Sequence, residues 1–422
     1  MRYLLQLAKK EYIRKNYSLD NIKEALKYLG EPHKKLKNII HVTGTNGKGS
    51  VVVYTSKILH FLGYNVGTYI SPHIFKVNER IQYNNTPISD KELKNYFSKV
   101  KKTLPKELFF KLTYFELLTC IMFLYFKDKS VDFVVLEVGL GGKLDATNVI
   151  EKSLVSCITS ISLDHTEVLG KTEFEILKDK SAIIKPNSIF VCGKLKKQLL
   201  RYVKSLCKKL NTKFVYVANE IKDIKFNTET WRTICKIKFL NKYYSFIFPT
   251  CSYSQPYNFL LSLKIIEQLY KAGLLKKIKI KEIEKISATT QIPFRMQKVN
   301  IENLEIVVDG AHNPAAVENF VKTLKKLKLK EIVICFTLMK EKNYKEILKI
   351  LSSIKKVINK FIIYELDTPR AQNVELLYTE AKKYFNKKLL VFENQKELKN
   401  YLKKLKQPIF FVGSFYVGTM FS

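Results

Sequence analysis

Residues 38–62 constrain this chain more than any other stretch. Asn38-Ile39-Ile40-His41-Val42 reads as a buried strand, Gly44-Thr45-Asn46-Gly47-Lys48-Gly49-Ser50 as a glycine-rich turn, and residues 51–62 as a helix. Strand, glycine turn and helix in that order form the context of a phosphate-binding loop. The glycines let backbone N–H groups close around phosphate oxygens, the helix N-terminus favours negative charge, and Lys48 can reach the outer phosphates. The loop departs from G-x-x-x-x-G-K-[ST]: Gly47 follows Gly44 too closely, and Gly49 stands between Lys48 and Ser50. The bland alternative, a turn with a few glycines and no ligand, is disfavoured by the two flanks. Such a loop indicates a nucleotide and leaves the reaction open.

Alternating strands and helices continue from there. Residues 131–138 and 154–161 have strand character and residues 114–126 are helical, as expected for a mostly parallel sheet covered on both faces. Near the N-terminus, Ser18 and Gly30 bracket a short helix as N-cap and C-terminal glycine. Residues 212–250 are richer in short β runs and suggest an antiparallel appendage on the first domain, before helix returns at 254–272. A second series follows Pro293, with strands expected at 305–309, 331–336, 361–366, 388–392 and 408–412 and helices at 317–327 and 344–354. At 422 residues the chain exceeds one ordinary core. The predicted fold is therefore α/β in two domains. Residues 1–292 form a P-loop parallel-sheet domain with the antiparallel appendage, and residues 293–422 a smaller Rossmann-like domain. The hinge is expected near residues 287–294.

Composition narrows the functional classes. The net charge of +36 invites a nucleic-acid reading, yet only seven of the 74 basic residues are arginine, and the lysines are spread along the whole chain. Arginine supplies bidentate phosphate recognition, so this pattern speaks for exposed helix faces rather than a nucleic-acid groove. The seven cysteines are scattered and form no C-x-x-C, which predicts buried free thiols and neither disulfides nor a thiolate metal site. No apolar run approaches a membrane span, and residues 1–19 are broken by charges and lack a signal-peptide core, which predicts a cytoplasmic protein without membrane contact.

Two further clusters carry chemistry. Glu137 closes an apolar strand and precedes Val138-Gly139-Leu140-Gly141-Gly142-Lys143-Leu144-Asp145-Ala146-Thr147-Asn148. A carboxylate at the C-terminal end of a parallel strand sits where such sheets bind ligands, and an oxygen donor beside phosphates suits Mg²⁺. A solvated strand-end glutamate is the alternative. Ser160-Ile161-Ser162-Leu163-Asp164-His165-Thr166 follows another strand. His165 alone reads as structural; beside a nucleotide loop it becomes a candidate ion ligand.

Together these segments resemble the folylpolyglutamate synthase/dihydrofolate synthase family. Residues 41–50 are similar to H-V-A-G-T-N-G-K-G-S, and Ser71-Pro72-His73 with Glu79-Arg80-Ile81 resembles S-P-H…E-R-I. Thr113-Tyr114-Phe115-Glu116 resembles T-x-F-E, and residues 137–148 match E-V-G-L-G-G-R-L-D-A-T-N except at Lys143. Leu163-Asp164-His165-Thr166 and Asp309-Gly310-Ala311-His312-Asn313-Pro314 complete a series in family order, spanning about residues 18–418. The resemblance implies an ATP-dependent ligase that forms an acyl phosphate and adds L-glutamate to dihydropteroate or to the tail of a reduced folate, with both activities on one enzyme. It implies nucleotide contacts at Gly44, Thr45, Asn46, Gly47, Lys48, Gly49, Ser50, Asn258, Arg295, Asp309 and His312. Ion ligands fall on Ser71, Glu137 and His165, with two Mg²⁺ ions and a carbamylated Lys180 as a further ligand. Substrate contacts fall on Thr113, Tyr114, Phe115, Glu116, Leu144, Asp145 and Ala146. Lys48, Lys180, His165 and Arg295 become the catalytic set, and a monomer is expected.

Three departures from the family pattern bear on local geometry. Phe294 stands where glycine is usual, Ser254 where histidine is usual, and Lys143 where arginine is usual. Rival readings are a Mur-type amino-acid ligase of cell-wall synthesis, a basic P-loop nucleic-acid-binding ATPase, and a degenerate nucleotide-binding module. The T-x-F-E and L-D-A-T-N segments disfavour the first, arginine scarcity the second, and an intact Lys48, Glu137 and His165 the third.

Overall fold

A computed structural model describes residues 18–217 and 219–414. The charged N-terminal stretch read for a signal peptide lies almost wholly outside them, as do Ala218 and residues 415–422. The chain divides into two compact units. The first holds the chain up to Ile161, Lys171–Glu220 and Asn258–Ile286; the second holds Ser162–Gly170, Ile221–Tyr257 and the chain from Ser287 onward.

The first unit is built on an eight-stranded sheet. Its strands are β1 (Ile39–Thr43), β2 (Val66–Tyr69), β3 (Ile81–Tyr83), β4 (Thr86–Pro87), β5 (Phe133–Glu137), β6 (Val155–Ile158), β7 (Ile189–Cys192) and β8 (Lys213–Tyr216). They lie in the order β4-β3-β2-β5-β1-β6-β7-β8. All pairs are parallel except the β2-β3 and β3-β4 pairs, which are antiparallel. β1 is buried along its whole length, which is why its sequence is a continuous apolar run rather than an alternation. It pairs Val42 with Glu137 on one side and Thr43 with Ile158 on the other. The phosphate loop and Glu137 thus leave the sheet side by side at its C-terminal edge, where parallel sheets bind ligands.

Helices Lys48–Phe61 and Tyr114–Asp128 cover the sheet. The second is apolar all round and almost entirely buried, as a core helix should be. The first helix, Asp20–Tyr28, starts after Leu19; Ser18 Oγ still accepts from Asp20 N at 3.0 Å, and Gly30 follows its end at φ +75°.

The second unit contains two sheets. β9 (Ile221–Asn227), β10 (Arg232–Phe239) and β11 (Lys242–Phe248) form the antiparallel sheet expected from the sequence. Along β10 the buried face is Thr233, Cys235, Ile237 and Phe239. Trp231 and Cys251, which flank its strands, belong to the second unit's core, and Phe226 of β9 packs against it. The Trp231 indole N–H donates to Met296 O at 2.8 Å, and Thr250 Oγ1 donates to the same carbonyl at 2.8 Å.

The other sheet is six-stranded. It comprises β12 (Gln297–Ile301), β13 (Leu304–Asp309), β14 (Ile332–Phe336), β15 (Ile358–Tyr364), β16 (Leu389–Phe392) and β17 (Ile409–Val412), in the order β12-β13-β17-β14-β15-β16. Only the β12-β13 hairpin is antiparallel. All seven cysteines are free and buried. Among the described residues no helix is long and apolar enough to cross a membrane.

Candidate active site

In the first unit the end of β6 stitches the phosphate loop. Thr45 N donates to Ser160 O at 2.8 Å, Asn46 N to Ser160 Oγ at 3.1 Å, and Thr159 Oγ1 to Asn46 O at 2.6 Å. Gly47 has φ +89°, and a Cβ there would run into the Asn258 side-chain oxygen. Glycine is therefore required twice over, by the left-handed backbone and by the approach of Asn258. Lys48 Nζ folds back on the loop, donating to Gly44 O at 3.1 Å and Thr45 O at 3.3 Å. Helix Lys48–Phe61 begins at the loop, so the positive end of its dipole faces the same place.

Glu137 and Ser71 meet beside this loop. Ser71 N donates to Glu137 Oε2 at 2.9 Å, and a Cβ built on Gly49 would lie 3.2 Å from the same oxygen. The buried carboxylate thus faces a gap that only a glycine leaves open, next to the start of the helix. A carboxylate and a serine hydroxyl are hard oxygen donors that fit Mg²⁺, which completes its shell with water and with the phosphates of a substrate held in the adjoining loop.

The backbone of Lys180 also lies close by. A Cβ on Gly142 would stand 2.8 Å from Lys180 O and 2.9 Å from Asp179 O, so this glycine lets the buried Lys180 segment approach the 137–148 loop. Asp145 organises that loop: it accepts from Leu140 N at 2.9 Å, from Thr147 N at 3.0 Å and from the Thr147 hydroxyl. The same hydroxyl accepts from His41 Nε2 at 2.8 Å, since its proton is given to Asp145. Burial, reinforced by the Lys185 charge, pushes His41 down to about 3, so it is a neutral ring. Burial also pushes the Asp145 carboxyl up, against the pull of these hydrogen bonds.

Thr113 and Glu116 form a capping box, with Glu116 N donating to Thr113 Oγ1 at 3.2 Å and Thr113 N to Glu116 Oε2 at 2.8 Å. Phe115 leans on Gly139, and Tyr114 is buried under the Arg80 guanidinium, 5.1 Å from ring centroid to Cζ. Arg80 Nε donates to His73 Nδ1 at 2.9 Å; burial first, then the Arg80 charge, lowers His73 to about 4. Glu79 accepts from Ile74, Phe75 and Lys76 N–H groups at 2.7–2.9 Å, tying down the segment after Ser71. Leu144 is 43% exposed, whereas Ala146 is buried.

The second unit holds another cluster. Asp309 closes β13 and accepts from Met296 N and Ala311 N, both at 2.9 Å. Burial raises its carboxyl to about 6 against the pull of Arg295. His312 donates Nδ1–H to Gly310 O at 2.8 Å and is lowered to about 3, mainly by burial and then by the Lys342 charge. Asn313 caps helix Pro314–Leu327, accepting from Ala316 N at 3.0 Å, while its Nδ2 donates to Asp164 Oδ2 at 2.9 Å. Lys342 Nζ donates to Asp164 Oδ1 at 2.7 Å and to His165 Nε2 at 3.3 Å. Burial raises the Asp164 carboxyl, but Lys342, His312 and His165 together bring it well below the usual carboxylate range.

Two family models together match most of the chain. The Mur ligase middle domain matches residues 42–263, and the Mur ligase glutamate ligase domain matches residues 294–414. The dihydrofolate synthase/folylpolyglutamate synthase of Bacillus subtilis is 33% identical over 377 residues, covering 87% of this chain and 85% of that protein. The dihydrofolate synthetase of Saccharomyces cerevisiae is 34% identical over 319 residues, covering 73% of this chain and 72% of that protein. This chain belongs to the folylpolyglutamate synthase/dihydrofolate synthase family. The crystal structure of the folylpolyglutamate synthase from Thermotoga maritima superposes with a TM-score of 0.82 at 28% identity, covering 99% of this chain and 96% of that one.

Against this family frame, the expected residues fall into two sets. Gly44 to Ser50, Ser71, Glu137, Lys180, Asn258, Thr113 to Glu116 and Leu144 to Ala146 lie in the first unit; His165, Arg295, Asp309 and His312 lie in the second. The usual glycine before Arg295 has a local reason: Phe294 occupies φ +54°, a left-handed conformation that glycine adopts without strain. Sequence reasoning missed Lys342 and the His41–Thr147–Asp145 chain. His41 and Thr147 lay inside quoted motifs, whereas nothing local separates Lys342 from its lysine neighbours.

Proposed function

We propose that this chain is a bifunctional dihydrofolate synthase/folylpolyglutamate synthase, acting as a cytoplasmic monomer. It joins L-glutamate to dihydropteroate, and to the glutamate tail of reduced folates, at the expense of ATP. The observation that carries this reading is the Glu137 carboxylate, held on Ser71 N and facing Gly49 at the mouth of the phosphate loop.

In this reading residues 1–292 carry the phosphate loop and the ion ligands, and residues 293–422 carry Arg295, Asp309 and His312. Gly44 to Ser50 and Asn258 bind the ATP phosphates. Lys48 and Arg295 stabilise the charge that develops as a folate-side carboxylate oxygen attacks the γ-phosphorus and ADP leaves. The acyl phosphate so formed is attacked by the neutral amine of glutamate, and phosphate departs from the tetrahedral intermediate to leave the amide. Tyr114, Phe115, Leu144, Asp145 and Ala146 contact the pterin side, with Thr113 and Glu116 fixing the helix that presents them. Ser71, Glu137, His165 and a carbamylated Lys180 would hold two Mg²⁺ ions, which supply charge neutralisation at the phosphates.

A ligation assay with radiolabelled glutamate tests this directly, with dihydropteroate and tetrahydrofolate offered separately in the presence of ATP and Mg²⁺. Label in both products is expected. Label in one alone reduces the chain to a single activity, and label in neither, with ATP hydrolysis intact, rejects the folate substrates.

A further inference from the structure

Arg295 is presented by a backbone that the local chain alone does not favour. It lies between Phe294 at φ +54° and Met296 at φ +51°, two left-handed residues that are not glycine. Such residues persist where their surroundings over-determine them. On one side, Met296 N donates to Asp309 Oδ2, Phe294 N to Gln297 Oε1 and Gly310 N to Phe294 O, at 2.8–2.9 Å. The carbonyls that follow Arg295 are held by the antiparallel sheet instead. Thr250, two residues beyond β11, has its hydroxyl 2.9 Å from Arg295 O and 2.8 Å from Met296 O, so its one proton is shared between them. Trp231, in the turn between β9 and β10, donates its indole N–H to Met296 O at 2.8 Å. Both lone pairs of Met296 O thus face donors of the appendage.

These donors are themselves fixed. The buried Thr233 of β10 donates from Oγ1 to Thr250 O at 2.6 Å and accepts from Ser252 N at 3.0 Å, which locks residue 250 against the sheet. The Trp231 ring is set in the second unit's core, with the Lys298 ammonium 5.1 Å from its centroid. After the larger effect of burial, the Arg295 charge is felt by both Asp309 and His312, which places its guanidinium in their neighbourhood. We propose that Thr250 and Trp231 are positioning residues for the nucleotide: by holding the carbonyls of Arg295 and Met296 they aim the Arg295 guanidinium, and this is what the β9–β11 sheet contributes to the reaction. The inference rests on the reading of Arg295 as an ATP contact.

If the two side chains merely filled the core, removing their donors would lower stability and leave nucleotide affinity alone. Isothermal titration calorimetry of the full chain with the Mg²⁺ complex of the β,γ-methylene analogue of ATP separates the two cases. Unfolded protein lowers the stoichiometry, whereas a misaimed arginine raises the dissociation constant. Arg295→Met is expected to bind the analogue about thirtyfold more weakly than wild type, the loss of a charge-assisted contact. Thr250→Val, which nearly keeps the shape and removes the donor, is expected to bind about fivefold more weakly, and Thr250→Ser within about twofold of wild type. Trp231→Phe, which removes the N–H and keeps an aromatic ring, is expected to bind about threefold more weakly. In the Arg295→Met background neither Thr250→Val nor Trp231→Phe should weaken binding further, since no guanidinium is left to aim.

Wild-type affinity in Thr250→Val overturns the proposal, as does the same loss in the Arg295→Met background, or a Thr250→Ser as weak as Thr250→Val. If Arg295→Met binds the analogue as wild type does, Arg295 is not an ATP contact, and the underlying reading fails first. Should Thr250→Val not fold because two buried carbonyls lose their shared donor, Trp231→Phe alone and with Arg295→Met carries the same cycle.

Discussion

Replacing Phe294 tests the local geometry around Arg295 through an inversion of the usual stability order. Phe294 is held at φ +54° from both sides: its N–H donates to Gln297 Oε1 at 2.9 Å, and its carbonyl accepts from Gly310 N at 2.8 Å. The ring is buried, with 5% exposed. Phe294→Ala loses the ring and keeps the strained backbone, a loss of about 3–5 kcal/mol. Phe294→Gly loses the same ring but recovers about 1–2 kcal/mol of left-handed strain, less the ~0.5–1 kcal/mol that glycine costs in chain entropy. Glycine should therefore be more stable than alanine here by roughly 0.5–1 kcal/mol, the reverse of the order in a helix or strand. Asparagine, which tolerates this region, should fall between them. The chain's single tryptophan makes the assay specific, because Trp231 is buried in the second unit's core and bonded to Met296 O. Urea unfolding followed by Trp231 fluorescence would rank the three variants at unchanged slope. Alanine equal to or above glycine would refute the argument that backbone conformation selects the residue at 294.

Asp309→Asn should change how stability varies with pH. Burial raises the folded carboxyl to about 6 from its ordinary value of 3.8, so its contribution is greatest below 3.8 and is lost as pH rises through 6. The stability of wild type relative to the variant should fall by up to about 3 kcal/mol between pH 4 and 7, read by the same fluorescence; a flat difference would contradict the buried, raised carboxyl. Glu137→Gln keeps an acceptor for Ser71 N and so keeps the fold, but should lower kcat by about a hundredfold or more through loss of a phosphate-side charge; a loss under tenfold would remove Glu137 from the ion site. Gly142→Ala sets a methyl group 2.8–2.9 Å from the backbone of Asp179 and Lys180, which cannot rotate away. It should destabilise the first unit by about 1–3 kcal/mol and reduce ligation more than ATP binding; a neutral effect on both would mean the two segments are not held together.

What could be read from the sequence was what local chemistry determines. Gly44 to Ser50 announce a phosphate loop because the turn, the strand and the helix start all lie within a few residues, and β1 and helix Lys48–Phe61 flank it in the structure. Thr113-x-x-Glu116 is likewise a local signal, since a capping box is complete in four residues. What could not be read depends on partners far along the chain. The sheet of β9–β11 is legible as an antiparallel appendage on the first domain, whereas its contacts group it with the second unit, whose core holds the flanking Trp231 and Cys251 together with Met296. The segment Ser162–Gly170 follows a strand of the first unit and yet clusters with the second, through Asp164 contacts to Asn313 and Lys342 that span 149 and 178 residues. The same limit hid Lys342. A lysine is legible only through its partner, and here the partner is a carboxylate whose burial the sequence does not reveal. Phe294 shows the converse: a residue that breaks the family pattern marks a backbone position whose demand for glycine is physical, and the chain meets it by burying an aromatic ring. Departures from a family's glycines therefore point to strained backbone more directly than the conserved-looking motifs do, because only there does the side chain have to offset the conformation it occupies.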